Sequence, residues 1–378
     1  MSTLIQRVVV VGNGIAGLTA ADTLRAAGFD GELTIVGDET HPAYSRPALS
    51  KALLLDGDDL SSHELPPATH GATELLGVRA TGLDVDRQLV TLDDGAALPY
   101  DRVVLATGSR ARRLSDLSEE FVLRGLDDAL ALRKRLAGRP SVVVVGGGPL
   151  GMEIASGCLT AGCQVTLVSQ GVPLILQLGP HLAEVFVRAA RERGLTIVET
   201  GSARLDRCGG DARVVLDDGA VLEAELVVTA VGDIPNTEWL ADTGLTSHGV
   251  VQVDSRGLVR PEIAAVGDLA AFPTPHGLRR IPLWSSAIEQ AKVAAAALVR
   301  GDDTPPLQFQ PYFWTEQFGL SLKAVGHLPL RGAPTYVEGG LAGPALMRWS
   351  HDDDSGAAVA LNYRIPIPRL RRLSQQAG

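Results

Sequence analysis

The chain of 378 residues has few cysteines and no long apolar segment. Its three cysteines, Cys158, Cys163 and Cys208, are odd in number and lack C-x-x-C spacing, which favours free thiols over a disulfide framework. The longest apolar runs, such as 142–145 and 293–299, are far shorter than a membrane span. No basic-then-apolar leader precedes the first predicted strand. We therefore expect no signal peptide, no membrane attachment and a cytoplasmic location.

Positive charge is also scarce. The 34 Lys and Arg residues against 44 Asp and Glu residues give a formal net charge of −10, which argues against a general nucleic-acid binder. Arginines nevertheless cluster near the end of the chain, where they either face solvent or form a docking surface for an acidic partner: Arg364, Arg369, Arg371 and Arg372. The length allows two or three domains, and no metal site is predicted.

The chain contains two copies of a glycine-rich βαβ pattern. The turns are Gly12–Gly17 and Gly146–Gly151, each between an apolar strand and a helix, and each unit ends in a second apolar strand, at 33–36 and 164–168. In this pattern the first glycine permits a tight turn, the second permits close approach of a pyrophosphate, and the third permits close helix packing. Two such turns predict two bound dinucleotides, usually a flavin and a nicotinamide; the alternative is that the glycines serve packing alone.

The similarity between the two halves extends beyond the glycine turns. The hairpin signal Asp-Asp-Gly occurs at 93–95 and again at 217–219, and the apolar segment 100–108 corresponds to 224–232. The pattern after residue 305 changes to short strands and turns. The sequence therefore predicts an α/β protein with two Rossmann-like, doubly wound nucleotide-binding domains, each carrying a β-hairpin insertion, and a small α+β C-terminal domain.

Several motifs together resemble those of the flavin-dependent ferredoxin reductases that serve ring-hydroxylating oxygenases and cytochromes P450, within the glutathione-reductase-like superfamily. The resemblance spans nearly the whole chain and rests on the following segments: Gly12–Gly17, Tyr44–Lys51, Ala106–Ser109, Gly146–Glu153, Val231–Asn236, Ala265–Asp268 and Phe313–Gly319. The Tyr-x-Arg-Pro-x-Leu-Ser-Lys and Phe-Trp-x-x-Gln segments are specific for the ferredoxin-reductase branch.

The resemblance implies a domain organisation and an activity. Residues 1–110 and 237–305 would form the FAD-binding domain, residues 111–236 the NAD(P)H-binding domain, and residues 306–378 the C-terminal domain. Electrons would pass from NADH or NADPH through FAD to a small [2Fe–2S] ferredoxin that feeds an oxygenase or a cytochrome P450. The chain would act as a monomer or a homodimer.

The resemblance also implies a flavin site. Asp268 would accept a hydrogen bond from the ribityl chain, and an acid about 20 positions after the turn, Asp38 with Glu39 in reserve, would bind the adenosine ribose. Trp314 would lie beside the flavin; the alternative is a core aromatic. The remaining residues of this site would be Gly12, Gly14, Ile15, Ala16, Gly17, Ala106, Thr107, Gly108, Gly267 and Trp284.

Three residues are implied to be catalytic. Arg46 and Lys51 would lie against the flavin ring and stabilise negative charge on its reduced form. Glu153 would orient the nicotinamide and pair with Lys51. The second nucleotide site would also contain Gly146, Gly148, Leu150, Gly151, Ser169 and Gly232.

The sequence departs from the family pattern in two places. Ser169, at the end of a strand, stands where NADH-selective relatives carry an acid, and no arginine follows closely, so the choice between NADH and NADPH stays open. Pro282 and Leu283 replace an expected Glu-Ser before Trp284. These departures motivate one alternative to the ferredoxin reductase, an FAD-dependent oxidoreductase acting on a small organic molecule. A second alternative is a flavin-bearing regulatory or binding protein with little turnover.

Overall fold

The computed structural model describes residues 5–51, 54, 63–208, 211–275, 277–340, 343–350 and 356–375. Chain contacts divide the protein into two compact units. The first unit comprises Met1–Ser45, Glu64–Arg110 and Ile234–Pro311, and the second comprises Arg46–His63, Ala111–Asp233 and Tyr312–Gly378. The division into three domains from the sequence stays a prediction.

The described strands follow one another along the chain as β1 (Arg7–Val11), β2 (Glu32–Gly37), β3 (Thr73–Leu76), β4 (Ala80–Asp84), β5 (Leu89–Leu92), β6 (Ala97–Pro99), β7 (Arg102–Leu105), β8 (Ser109–Ala111), β9 (Glu120–Phe121), β10 (Ser141–Val145), β11 (Gln164–Ser169), β12 (Thr196–Glu199), β13 (Ala203–Cys208), β14 (Asp211–Leu216), β15 (Val221–Glu223), β16 (Leu226–Thr229), β17 (Asp233–Pro235), β18 (Thr246–Ser247), β19 (Val250–Gln252), β20 (Leu258–Arg260), β21 (Ile263–Ala265), β22 (Ala270–Thr274), β23 (Gly277–Arg279), β24 (Tyr312–Gln317), β25 (Leu320–Val325), β26 (Thr335–Gly339), β27 (Ala345–Ser350) and β28 (Gly356–Leu361).

The described α-helices are α1 (Ile15–Ala26), α2 (Leu126–Leu136), α3 (Pro149–Thr160), α4 (Ile175–Leu178), α5 (Pro180–Glu192), α6 (Trp284–Arg300) and α7 (Ile367–Ser374). Short 3-10 turns lie at Arg46–Ala48, Glu238–Thr243, Gly267–Leu269 and Gly301–Asp303. No helix in the described ranges combines the length and the apolar character that crossing a membrane requires.

The first unit is built on a six-stranded sheet with the order β20-β21-β7-β1-β2-β3. At its centre β1 pairs in parallel with β2 and β7, which places Val11 opposite Val36 and Leu105. The valines of β1 are buried, as expected for a parallel strand that is covered on both faces. This arrangement brings the carboxyl ends of three strands to one edge, where the first glycine turn begins.

The second unit repeats this arrangement in a five-stranded sheet with the order β12-β11-β10-β16-β9. Strand β10 pairs in parallel with β11 and β16, which places Val145 opposite Val168 and Thr229. The predicted α/β fold with two doubly wound sheets is therefore confirmed. β-branched residues dominate β1 and β10, because such side chains pack well on a pleated surface.

Small side chains bring the first glycine-turn helix close to another helix of the same unit. Ala16 and Ala20 of α1 are buried in one cluster with Ala287, Ala291 and Ala294 of α6. Alanine keeps a helix surface narrow, so two helices lined by it can approach closely. The packing fixes the N-terminus of α1 beneath the turn that precedes it.

Both predicted hairpin insertions are present as three-stranded antiparallel sheets, β4-β5-β6 and β13-β14-β15. Gly95 and Gly219 turn the chain with φ values of 85° and 84°, a conformation that glycine adopts without steric cost. The C-terminal part of the second unit is a five-stranded antiparallel sheet, β24-β25-β28-β27-β26, followed by α7.

Two features of the fold were not predicted. The Phe-Trp-x-x-Gln motif forms a regular strand, β24, that pairs with β25 and places Thr315 opposite Leu322. A four-stranded sheet, β18-β19-β22-β23, lies in the first unit. Its strands have two to five residues, so their alternation of apolar and polar residues is too short to recognise in the sequence.

Candidate dinucleotide-binding sites

The three glycines of the first turn have three different surroundings. A Cβ atom on Gly12 would lie 2.1 Å from the Ala106 carbonyl oxygen, and Gly12 has a φ of +118°. A Cβ on Gly17 would lie 1.9 Å from the Gly12 carbonyl oxygen. A Cβ on Gly14 would meet no described protein atom within 4 Å. The outer glycines are therefore required by packing and the middle one is not.

The second turn has the same pattern. Gly146 has a φ of +126°, and a Cβ there would lie 2.2 Å from the Ala230 carbonyl oxygen. A Cβ on Gly151 would lie 1.9 Å from the Gly146 carbonyl oxygen. At Gly148 the nearest atom would be Nε2 of Gln177, 3.9 Å away.

The open space around Gly14 and Gly148 indicates whether the two turns fit a dinucleotide. Packing alone would tolerate alanine at Gly14 and Gly148, since both have extended backbone angles that alanine adopts freely. Each of them is the N-cap of a helix of 12 residues, whose first N–H groups favour an anion. The geometry of both turns therefore fits a pyrophosphate.

The predicted residues after these caps begin the two helices. Ile15 is half-buried and Ala16 buried in α1, whereas Leu150 near the start of α3 is 36% exposed. A large apolar side chain with that exposure at a helix N-terminus is a surface that a ligand can cover.

In the first unit, the predicted segment Ala106–Gly108 follows β7 and is tied to Asn236. The Thr107 hydroxyl donates to the Asn236 carbonyl at 2.7 Å, and the Asn236 amide donates to the Thr107 carbonyl at 3.0 Å. Because the two residues exchange bonds, the segment beside the first glycine turn has a fixed conformation.

Asp268 lies in a short turn after β21, on the same edge of the sheet. Gly267 precedes it with a φ of +80°, and its N–H donates to the buried Gln290 side chain at 2.8 Å. The Ser109 hydroxyl donates to Oδ2 of Asp268 at 3.1 Å. Trp284, predicted for the same site, begins α6 and is half-buried.

The two candidate ribose acids differ in their surroundings. Asp38 directly follows β2, is exposed, and has an oxygen 3.9 Å from the Arg79 guanidinium. Glu39 accepts a hydrogen bond from the Tyr44 hydroxyl at 2.6 Å. Both residues follow the strand end, and the choice of Asp38 stays a prediction.

In the second unit, Lys51 and Glu153 form an ion pair. Nζ of Lys51 lies 2.9 Å from Oε2 of Glu153, and the two side chains are 17% and 7% exposed. Glu153 lies on α3, immediately after the second glycine turn. The contact that the resemblance implies is therefore present within this unit.

Arg46 and Trp314 also lie in the second unit. A guanidinium nitrogen of Arg46 donates to the Arg124 carbonyl at 3.0 Å. The half-buried Trp314 ring stacks on Tyr312, with centroids 5.6 Å apart and an interplanar angle of 19°. This stacking and the contact of Trp314 with a buried apolar cluster agree with the core alternative, and its flavin role stays a prediction.

Ser169 ends β11 and is buried next to the second glycine turn. A Cβ on Gly147 would lie 2.0 Å from Oγ of Ser169, so the side chain of Ser169 faces that turn. Gly232, also predicted for this site, follows β16 with a φ of +104° and is exposed.

No cysteine precedes Cys158 in the sequence, so the strand, turn and helix that contain Gly12–Gly17 carry no thiol. Burial raises the pKa of the Cys158 thiol to about 12, so it is a neutral thiol at physiological pH. Burial also raises the pKa of Cys163.

In each of the two doubly wound sheets a glycine turn follows the central strand, and the middle glycine of that turn has open space around it. This arrangement defines a protein that binds two dinucleotides. Residues 6–291 match the model of the pyridine nucleotide-disulphide oxidoreductase family. Rhodocoxin reductase from Rhodococcus erythropolis is 36% identical, over 87% of this chain and 80% of its own length. The ferredoxin–NAD(+) reductase component of the biphenyl dioxygenase system from Paraburkholderia xenovorans is 34% identical, over 85% and 81%.

A solved structure agrees with these relatives. The covalent putidaredoxin reductase–putidaredoxin complex superimposes with a TM-score of 0.87 and 31% identity, covering 98% of this chain and 92% of that chain. This chain therefore belongs to the pyridine nucleotide-disulphide oxidoreductase family, in the ferredoxin-reductase branch that its motifs predicted.

Three polar residues for which the sequence predicted no role form hydrogen bonds to Glu153 or to one of its partners. Ser50 and Thr315 both donate to the Glu153 carboxylate, at 2.5 Å and 2.6 Å. Gln317 donates to Thr315 at 2.9 Å. All three lie inside the branch-specific motifs, so the signal was available, but Glu153, the partner of Ser50 and Thr315, is distant from both in sequence.

Proposed function

We propose that this protein is an FAD-dependent reductase that takes a hydride from NADH or NADPH and passes electrons singly to a [2Fe–2S] ferredoxin. The ferredoxin would in turn supply an oxygenase or a cytochrome P450. FAD, when bound, supplies the chemistry that joins two-electron intake to one-electron output.

The observation that carries this proposal is the pair of open middle glycines, Gly14 and Gly148. Each lies at a helix N-terminus where no packing contact with a described residue explains the lack of a side chain. Two such turns in one chain support one nucleotide site for FAD and another for the nicotinamide cofactor.

The proposed roles of the charged residues follow from charge and burial. Lys51 and Arg46 supply positive charge that stabilises an anionic reduced ring, and a cation shielded from water is more effective than an exposed one. Glu153, next to the second turn, orients the nicotinamide. Asp268 holds the ribityl chain, and Asp38 holds the adenosine ribose.

A ferredoxin acceptor is supported by the relatives and by the absence of any cysteine before Cys158 in the sequence. Relatives with 33–36% identity are reductase components of oxygenase or rhodocoxin systems. Family members that reduce disulfides need a cysteine facing the flavin in the first domain, and this chain has none before Cys158. Direct electron output from the flavin is therefore the simpler route.

Docking on the C-terminal arginines would favour a ferredoxin with an acidic surface. Arg364, Arg369 and Arg372 are exposed on or beside α7, although Arg369 also lies 3.7 Å from Glu338. Such a patch on a protein of net charge −10 favours a local, oriented encounter.

Anaerobic mixing with NADH or NADPH tests the first half of the proposal. We expect a yellow protein with one FAD per chain, whose flavin absorbance bleaches in a saturable reaction. A protein that binds FAD but is not reduced by either nucleotide would instead support the regulatory alternative. Reduction followed by ferredoxin-independent turnover of an organic substrate would support the small-molecule alternative.

A further inference from the structure

The Glu153 carboxylate receives three hydrogen bonds from two segments of the second unit, one containing Ser50 and Lys51 and the other containing Thr315. Oε2 accepts from the Ser50 hydroxyl at 2.5 Å and from Nζ of Lys51 at 2.9 Å. Oε1 accepts from the Thr315 hydroxyl at 2.6 Å. A carboxylate offers about four acceptor positions. Among the residues that the structure describes, no donor takes the fourth position, which belongs to Oε1.

The proton on Thr315 has a defined direction. Nε2 of Gln317 donates to Oγ1 of Thr315 at 2.9 Å. A hydroxyl has a single proton, and a carboxylate can only accept, so Thr315 must donate to Glu153. Gln317 must then present its amide nitrogen to Thr315, since its oxygen would compete for that proton.

Burial makes this chain of hydrogen bonds rigid. Thr315, Gln317 and Glu153 are 0%, 3% and 6% exposed, so water cannot replace a lost partner easily. Thr315 and Gln317 lie two positions apart on β24 and therefore on one face of the sheet, while Glu316 between them is exposed.

We propose that Thr315, held by Gln317, positions Glu153 so that its remaining acceptor site receives the carboxamide N–H of the nicotinamide. This inference rests on the proposed function, since it assumes that the nicotinamide cofactor binds at Gly146–Gly151. Thr315 and Gln317 are positioning residues: they act through Glu153, and the C-terminal sheet thereby contributes to nucleotide recognition.

Three nucleotides distinguish recognition of the nicotinamide carboxamide from binding of the rest of the cofactor. NAD+ carries the carboxamide, deamido-NAD+ carries a carboxylate in its place, and ADP-ribose lacks the ring. Their affinities are measured by isothermal titration calorimetry with the FAD-loaded, oxidised protein. We expect the parent to prefer NAD+ over deamido-NAD+ by about tenfold or more, because Glu153 accepts from the amide and repels the carboxylate.

The variants are Thr315→Val, which keeps the shape but not the hydroxyl, and Thr315→Ser, which restores the hydroxyl. Thr315→Val should lose the part of the preference that comes from the hydrogen bond to the carboxamide, while the repulsion of the carboxylate by Glu153 and the affinity for ADP-ribose are kept. Thr315→Ser should recover the preference. Thr335→Val, at an exposed position of the same sheet, is the matched control and should behave like the parent.

Two results would overturn the proposal: an unchanged preference in Thr315→Val, or a loss that Thr315→Ser does not recover. If Thr315→Val does not fold, Gln317→Met provides the second test, because it frees the Thr315 hydroxyl and should reduce the preference by a smaller factor. An unchanged preference in Gln317→Met would then reject the proposal. Failure of the parent to bind ADP-ribose would instead reject the nucleotide site itself.

Discussion

Nζ of Lys51 lies 2.9 Å from Oε2 of Glu153, and both side chains are largely shielded from water. Lys51 ends the branch-specific segment Tyr44–Lys51, about a hundred positions before Glu153, which follows the second glycine turn. An ion pair with so little exposure is more strongly coupled than a surface pair. Changing either partner should therefore affect both the flavin side and the nicotinamide side of the reaction.

We expect Lys51→Met to slow flavin reduction by NADH about a hundred- to a thousandfold, because the role proposed for Lys51 is that of a fixed cation near the developing charge. Glu153→Gln should slow the same step, and the double variant should be less than additive because the residues act as one unit. Anaerobic stopped-flow absorbance measures the rate, and FAD should stay bound. Lys134→Met, an exposed lysine on α2, is the control; equal rates for Lys51→Met and this control would remove Lys51 from the mechanism.

Gly14→Ala should fold normally but bind FAD weakly. A Cβ at this position meets no described protein atom within 4 Å, so only a bound pyrophosphate would be displaced. FAD content after dialysis and the unfolding temperature of the apoprotein measure the two effects separately. Gly343→Ala, which also places its Cβ in open space, should change neither. Full FAD occupancy in Gly14→Ala would show that the turn serves packing alone.

Asp268→Ala should lose flavin, because the role proposed for Asp268 is to accept a hydrogen bond from the ribityl chain. The expected cost is about 1–3 kcal/mol of binding free energy. Fluorescence titration of the apoprotein with FAD measures it, with Asp93→Ala, an exposed turn residue of the same unit, as the control. An FAD affinity equal to that of the control would contradict the assignment of Asp268.

The protein should discriminate little between NADH and NADPH, with kcat/KM values within about tenfold of each other. Ser169 provides neither the carboxylate that repels a 2′-phosphate nor the guanidinium that binds one, and the next arginine in the sequence is Arg188. Ser169→Asp should lower kcat/KM for NADPH more than for NADH. A preference above a hundredfold in the parent would mean that another residue reads the ribose.

The sequence predicted those parts of the molecule that depend on local pattern. Both glycine turns, the helices after them and both Asp-Asp-Gly hairpins follow from residue types at fixed spacing, because each requires a particular backbone conformation. The contact between Lys51 and Glu153 followed from family resemblance. The hydrogen bond from Thr315 to Glu153 did not, since it joins β24 to α3 through tertiary packing that no local pattern encodes. The bond from Gln317 to Thr315, which supports it, was not predicted either.

Steady-state reduction of cytochrome c by NADH, with and without an added [2Fe–2S] ferredoxin, measures whether electrons leave the flavin to a ferredoxin. We expect a slow rate without ferredoxin and a rate that rises and saturates as ferredoxin is added. A rate that ferredoxin leaves unchanged, in a protein whose flavin NADH reduces rapidly, would contradict this expectation.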